Sequence, residues 1–216
     1  MIALPFAPRQ LAGWLVVFSL SVTAVQAQKD KRAETVLDAM SARYKALSSY
    51  KATFSYTADQ TTYKGDIAVK GTMFRFKTAG QEVFTDGKVM WTYVKEANEV
   101  NVQDYDASAT GDFNPAKIYT MYKKGFTNRY LRERKAGGRT LDVVELKPEK
   151  KNTQIALVEI SVDRADKSVK SWQITDKTGK RTTYTISQFT PNPVLANGFF
   201  VFDKANYPGV EVVDLR

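Results

Sequence analysis

The chain of 216 residues contains no cysteine and no histidine. Without Cys there is no disulfide framework, no thiol nucleophile and no lipid-attachment cysteine behind an export signal. Without His, imidazole-based triads and His-ligated zinc sites are excluded. Paired carboxylates remain a chemical option. The candidate pairs, Asp104 with Asp106 and Asp163 with Asp166, fall at strand ends and turns, where Asp commonly serves the backbone. Neither Asp163 to Ser168 nor Asp176 to Lys180 carries the oxygen-ligand series of a calcium loop. The expectation is a protein that is not an enzyme and that holds no metal or cofactor.

Long apolar runs are also scarce. The one that stands out, Leu11 to Val25, follows a single early charge at Arg9 and ends in Val25-Gln26-Ala27, with small residues where a signal peptidase reads. It is shorter than the roughly 20 residues that a membrane-spanning helix needs. Residues 1–27 therefore read as a cleaved secretory signal, against the alternative of a retained anchor, and 28–216 as one soluble domain. The formal charge of +9 falls to +8 without Arg9. A basic surface suggests nucleic acid, but export argues against it, so anionic lipid or an acidic protein fits better. The basic hairpin Arg129, Arg132, Arg134, Lys135 and Arg139 is a candidate for such a contact, with an ordinary solvated face as the more frequent explanation.

Aromatic and β-branched residues are plentiful, with 12 Phe, 11 Tyr and 3 Trp. Gln81 to Thr85 and Val89 to Thr92 flank Asp86-Gly87-Lys88, the pattern of a β-hairpin. Before it, Ala33, Val36, Leu37, Met40, Tyr44 and Leu47 share one helical face. From Tyr50 the apolar period switches from 3.6 to 2. Asn114-Pro115 opens a short second helix that Gly125 ends, with Ile118, Met121 and Tyr122 on one face. Strands resume at Phe126, and Phe199 to Phe202 with Val210 to Val213 close the chain. About eleven strands in an antiparallel meander are too many to stay flat. The expected fold is mainly β, an incomplete antiparallel β-barrel formed by a strongly curved sheet, with an α-helical lid. Its interior is either solid core or a ligand cavity.

The helix, the strand Tyr50 to Tyr56, Gly65-Asp66-Ile67-Ala68-Val69-Lys70, Phe74-Arg75-Phe76, Thr85-Asp86-Gly87-Lys88-Val89-Met90-Trp91-Thr92-Tyr93 and Phe199-Phe200-Val201-Phe202 together resemble the periplasmic outer-membrane lipoprotein carrier proteins of the LolA family. The resemblance implies a monomeric, non-enzymatic periplasmic chaperone for lipoprotein transport. Such a carrier takes lipoproteins by their acyl chains from an inner-membrane lipoprotein-releasing transporter and hands them to an outer-membrane acceptor. A related lipid- or glycolipid-binding barrel and an envelope-stress sensor domain are the alternatives. The expected cavity carries Phe54, Ile67, Phe74, Phe76, Trp91, Tyr93, Trp172 and Ile174, beneath a lid of Val36, Leu37, Met40, Tyr44, Ile118, Met121 and Tyr122. Many members have an Arg-Pro pair whose Arg latches the lid. This chain has Gly71-Thr72 there, with Lys70 and Arg75 as the nearest cations. Closure is therefore expected to rest mainly on apolar contacts.

Overall fold

The structure is a computed structural model that describes residues 30–58, 60–106, 119–150 and 152–216, without the side chains of Ala58 and Met121. The expected signal, 1–27, and Asn114, Pro115 and Ile118 of the expected second helix lie outside these residues. Among the described residues no helix is long and apolar enough to cross a membrane.

Helix α1 spans Lys31–Lys45 and starts two residues before the expected Ala33. Asp30 accounts for the earlier start. Its carboxylate accepts the N–H groups of Arg32 and Ala33 at 2.9 and 3.2 Å, satisfying two donors that a helix start leaves without partners. Ala33, Leu37, Met40 and Tyr44 are buried on the face their spacing predicts.

Among the described residues twelve strands make one sheet, against about eleven expected. They are β1 (Tyr50–Ala58), β2 (Thr61–Lys70), β3 (Met73–Lys77), β4 (Gln81–Thr85), β5 (Val89–Val94), β6 (Glu99–Asp104), β7 (Phe126–Ala136), β8 (Arg139–Pro148), β9 (Ile155–Asp163), β10 (Val169–Asp176), β11 (Arg181–Pro191) and β12 (Glu211–Asp214). Their order is β12-β6-β5-β4-β3-β2-β1-β11-β10-β9-β8-β7. Two meanders thus meet at an antiparallel seam in which Tyr50 faces Pro191 and Thr57 faces Thr183. The sheet curves but does not close, and β12 and β7 are its edges.

The hairpin between β4 and β5 forms at Asp86-Gly87-Lys88. Asp86 Oδ1 accepts the N–H groups of Lys88 and Val89 at 2.8 and 2.9 Å, and Gly87 takes φ +91°, which a side chain would resist.

Two features of the C-terminal part differ from expectation. Residues Phe199 to Phe202 are not a strand, because Asn197–Phe200 form a 3-10 turn. Adjacent rings that both need burial do not suit the two-sided alternation of a strand: Phe200 is fully buried with Ala68 and Leu195, and Phe199 packs against that cluster. Strand β12 runs parallel to β6, with Glu211 beside Glu99 and Asp214 beside Val102. The chain has crossed the convex face by then and returns in the direction of β6.

Helix α1 lies in the concave face over the β7 to β10 side. Its buried stripe joins Val144, Leu146, Val158, Ile160, Val162 and Val169 in the main core. The other half of the concave face is left for the site.

Candidate functional site

An apolar cavity of about 440 Å³ occupies the concave face where α1 does not reach. Strand alternation builds its floor. Tyr50, Ala52 and Phe54 are successive inward positions of β1, and the pairings Ile67 with Phe76 and Phe76 with Val83 carry the same face outward to β4. Trp172 and Ile174 of β10, with Tyr184 and Ile186 of β11, line the other wall. Of the residues expected there, Phe54, Ile67, Phe74, Phe76, Trp172 and Ile174 are brought together. Tyr50, Val83, Met90, Tyr119, Tyr184 and Ile186 also line the cavity and were not anticipated. Their signal was present in register: once Phe76 faces inward, its partner Val83 must do so too.

Trp91 and Tyr93 are a correction. Thr85 pairs with Met90 and Val83 with Thr92, so the inward positions of β5 are Met90 and Thr92. Trp91 and Tyr93 stand on the convex face, where Phe202 and Tyr207 cover Tyr93 with ring centroids 6.1 and 4.6 Å away.

The lid stripe also divides. Leu37 and Met40, 0% and 1% exposed, are sealed in the core and do not border the cavity. Val36 packs at the margin of that core. Ile118 and the side chain of Met121 lie outside the described residues. The expected second helix appears within them only as a 3-10 turn, Met121–Lys123. Among the described residues Tyr119 borders the cavity on the lid side. Its ring stacks on Tyr44 at 3.4 Å between centroids and meets Tyr50 edge-on at 5.9 Å. Burial pushes the hydroxyl pKa values of Tyr44, Tyr50 and Tyr119 above the usual tyrosine value, so this polar seam stays uncharged. Tyr44 Oη accepts the N–H of Val169 at 3.1 Å, tying α1 to β10.

The lid is held by more than apolar contact, which revises the expectation from Gly71-Thr72. Tyr122 donates its hydroxyl to Asp38 Oδ1 at 2.6 Å, and Lys123 lies 3.1 Å from the same oxygen. Tyr122, followed by Lys123, holds the Asp38 carboxyl below its usual pKa. At the start of α1, Asp30 accepts the N–H of Tyr130 at 2.7 Å. The Arg32 guanidinium donates to Tyr130 Oη at 2.9 Å and lies 3.7 Å from that ring's centre.

Lys70 and Arg75, the nearest cations to the missing Arg, point to the convex face. Lys70 donates to Leu195 O and Asn197 Oδ1 at 2.8 and 2.9 Å. Arg75 pairs with Glu82 at 2.9 Å and packs against Phe84 and Phe199. Both fasten the C-terminal segment.

The basic hairpin is extensively compensated. Arg129 pairs with Glu145, Arg132 with Glu159, and Arg139 with Asp163 and Asp166. Asp163 and Asp166 are thereby committed to Arg139 and to the N–H groups of their own turn. Among the described residues no three acidic side chains converge as a metal site.

The family model for the outer membrane lipoprotein carrier protein LolA matches residues 45–203, which begins at the last residue of α1 and stops before β12. Among solved structures, an uncharacterised conserved protein from Thermus thermophilus is similar at a TM-score of 0.59 and 13% identity, covering 85% of this chain and 99% of that one. A LolA superfamily protein from Nitrosomonas europaea (TM-score 0.40, 12% identity, 79% and 97% covered) is also similar. So is a putative outer membrane lipoprotein-sorting protein domain from Vibrio parahaemolyticus (0.44, 14%, 78% and 97%). No curated protein matches the chain.

Proposed function

Because the chain belongs to the LolA family of outer membrane lipoprotein carrier proteins, we propose that it is a periplasmic carrier that shields the acyl chains of lipoproteins. In this reading residues 1–27 direct export. The domain then receives its cargo from an inner-membrane transporter and gives it up to an outer-membrane acceptor, without chemistry of its own. The observation that carries the reading is the apolar cavity beneath Tyr119. Its volume of about 440 Å³ lies within the roughly 300–1,000 Å³ of ligand sites. A methylene takes up much the same ~30 Å³ as a water molecule, so the space suits about fifteen methylenes, one acyl chain. Burying such a chain gains about 0.8 kcal/mol per methylene before the costs of association. A tyrosine-capped end lets the lid yield without exposing a charge.

The test uses a fluorescent fatty-acid probe. It should bind saturably, quench Trp172 and leave Trp91 on the other face unaffected, so that Trp172→Phe removes the quench and Trp91→Phe does not. A diacylated peptide should displace the probe. No saturable binding by the folded protein would make the cavity mere packing space and overturn the reading.

A further inference from the structure

Beyond the cavity floor, β1 carries one more inward ring, and three neighbours join it. Trp172 stacks on Tyr184 at 5.2 Å, Tyr184 on Tyr56 at 5.7 Å, and Tyr56 on Tyr63 at 5.0 Å, with interplanar angles of 15°, 26° and 20°. One ring from each of β10, β11, β1 and β2 thus forms a ladder. Trp172 and Tyr184 belong to the cavity wall as well, so ladder and cavity are one surface. The ladder runs from the cavity, at the side away from Tyr119, to Tyr63, which is 39% exposed.

Cross-strand stacking stabilises a sheet, and it would explain four rings. It does not explain three hydroxyls, since Phe would stack as well. The hydroxyls differ from those elsewhere in the fold. Tyr44, Tyr93, Tyr122, Tyr130 and Tyr207 each hydrogen-bond a named partner. Tyr56 and Tyr184 are half-buried and Tyr63 is exposed, so their hydroxyls lie within reach of solvent and a ligand can take them without displacing a protein partner.

We propose that the Tyr56–Tyr63–Tyr184 hydroxyls bind the oxygen-rich neck of an acylated ligand, the ester carbonyl and glyceryl oxygens, while its chain fills the cavity toward Tyr119. This rests on the carrier reading and adds to it a polar subsite that fixes the direction of entry, tail first. One chain fills the cavity, so the neck falls on the next stretch of the same surface, where three donors stand in a row over apolar ring bodies.

The experiment compares wild type with the triple variant Tyr56→Phe, Tyr63→Phe, Tyr184→Phe, which keeps the rings and their stacking. Two probes share a twelve-carbon chain: monolauroyl glycerol, whose head accepts and donates hydrogen bonds, and dodecyltrimethylammonium, whose head does neither. Calorimetric titration below micelle formation should show monolauroyl glycerol weakened about tenfold or more in the variant, as expected for two or three lost hydrogen bonds. Dodecyltrimethylammonium should change less than twofold. Unchanged monolauroyl glycerol affinity, or an equal loss for both probes, would overturn the neck subsite and leave the carrier reading standing. Failure of wild type to bind either probe would overturn both.

Discussion

Gly65 offers a direct test of how the cavity floor is built. It lies opposite Phe54 in the β1–β2 pairing, and the Phe54 ring covers it. A Cβ added at Gly65 would sit 2.5 and 2.9 Å from two ring carbons of Phe54 and 2.7 Å from the carbonyl oxygen of Lys77. The carbonyl is backbone in a paired strand and moves little, so the ring must tip into the cavity, away from its stack on Phe76. Overpacking of this kind costs about 1–3 kcal/mol. At roughly 2–4 °C per kcal/mol for a chain of this size, Gly65→Ala should lower Tm by about 2–12 °C. It should also weaken the fatty-acid probe, since the ring takes part of the chain's space. Gly80→Ala is the control: its Cβ meets nothing within 4 Å and its φ lies outside the left-handed region, so it should stay within about 0.5 kcal/mol of wild type. Urea unfolding and probe titration measure both variants. If Gly65→Ala matches Gly80→Ala in stability and affinity, the floor is not packed as described and the reasoning from register to cavity fails.

Asp38 ties α1 to the lid turn, and its lowered pKa means that the tie is present above the unfolded carboxylate value of about 3.9 and lost as pH falls through the folded value. Probe dissociation from wild type should therefore quicken below about pH 4. In Asp38→Asn it should be faster already at pH 7 and less dependent on pH, by at most a few-fold because the group is exposed. Stopped-flow displacement reads both. Lys70→Ala removes two hydrogen bonds to the C-terminal segment and should cost about 1–3 kcal/mol in urea unfolding while leaving probe affinity within twofold. A large fall in cargo release by this variant would make Lys70 part of a lid latch and contradict its place on the convex face. Leu37→Ala should cost about 2–5 kcal/mol as a core cavity, with little change in probe affinity relative to Tyr119→Ala, since Tyr119 rather than Leu37 borders the site.

Local patterns announced much of this fold. Asp86-Gly87 specifies a turn that the Asp86 carboxylate closes onto the N–H groups of the next residues, Lys88 and Val89, and the α1 stripe is a property of 15 consecutive residues. The errors came where a distant segment decides. In β5 both alternating sets contain apolar residues, Met90 on one and Trp91 with Tyr93 on the other, so periodicity alone does not say which is inward. The answer lies with Phe202 and Tyr207, which cover Tyr93 from more than a hundred positions away. The place of Lys70 and Arg75 is likewise not legible locally: nearness in sequence to Gly71 does not reveal on which side of the sheet a side chain emerges. Tyr119 escaped notice because a single capping ring has no periodicity.

The seam between the two meanders has a consequence for how the protein comes into being. Hairpins such as β4–β5 close loops of a few residues, and each can form as soon as its own segment is available. The pairing of β1 with β11 joins Tyr50 to Pro191 and Phe54 to Ile186, contacts of high sequence separation whose closure entropy must be met before any gain is returned. Both walls of the cavity border that seam. A chain emerging N-terminus first therefore has no pocket until its last third has followed, and the binding surface matures in a single late event.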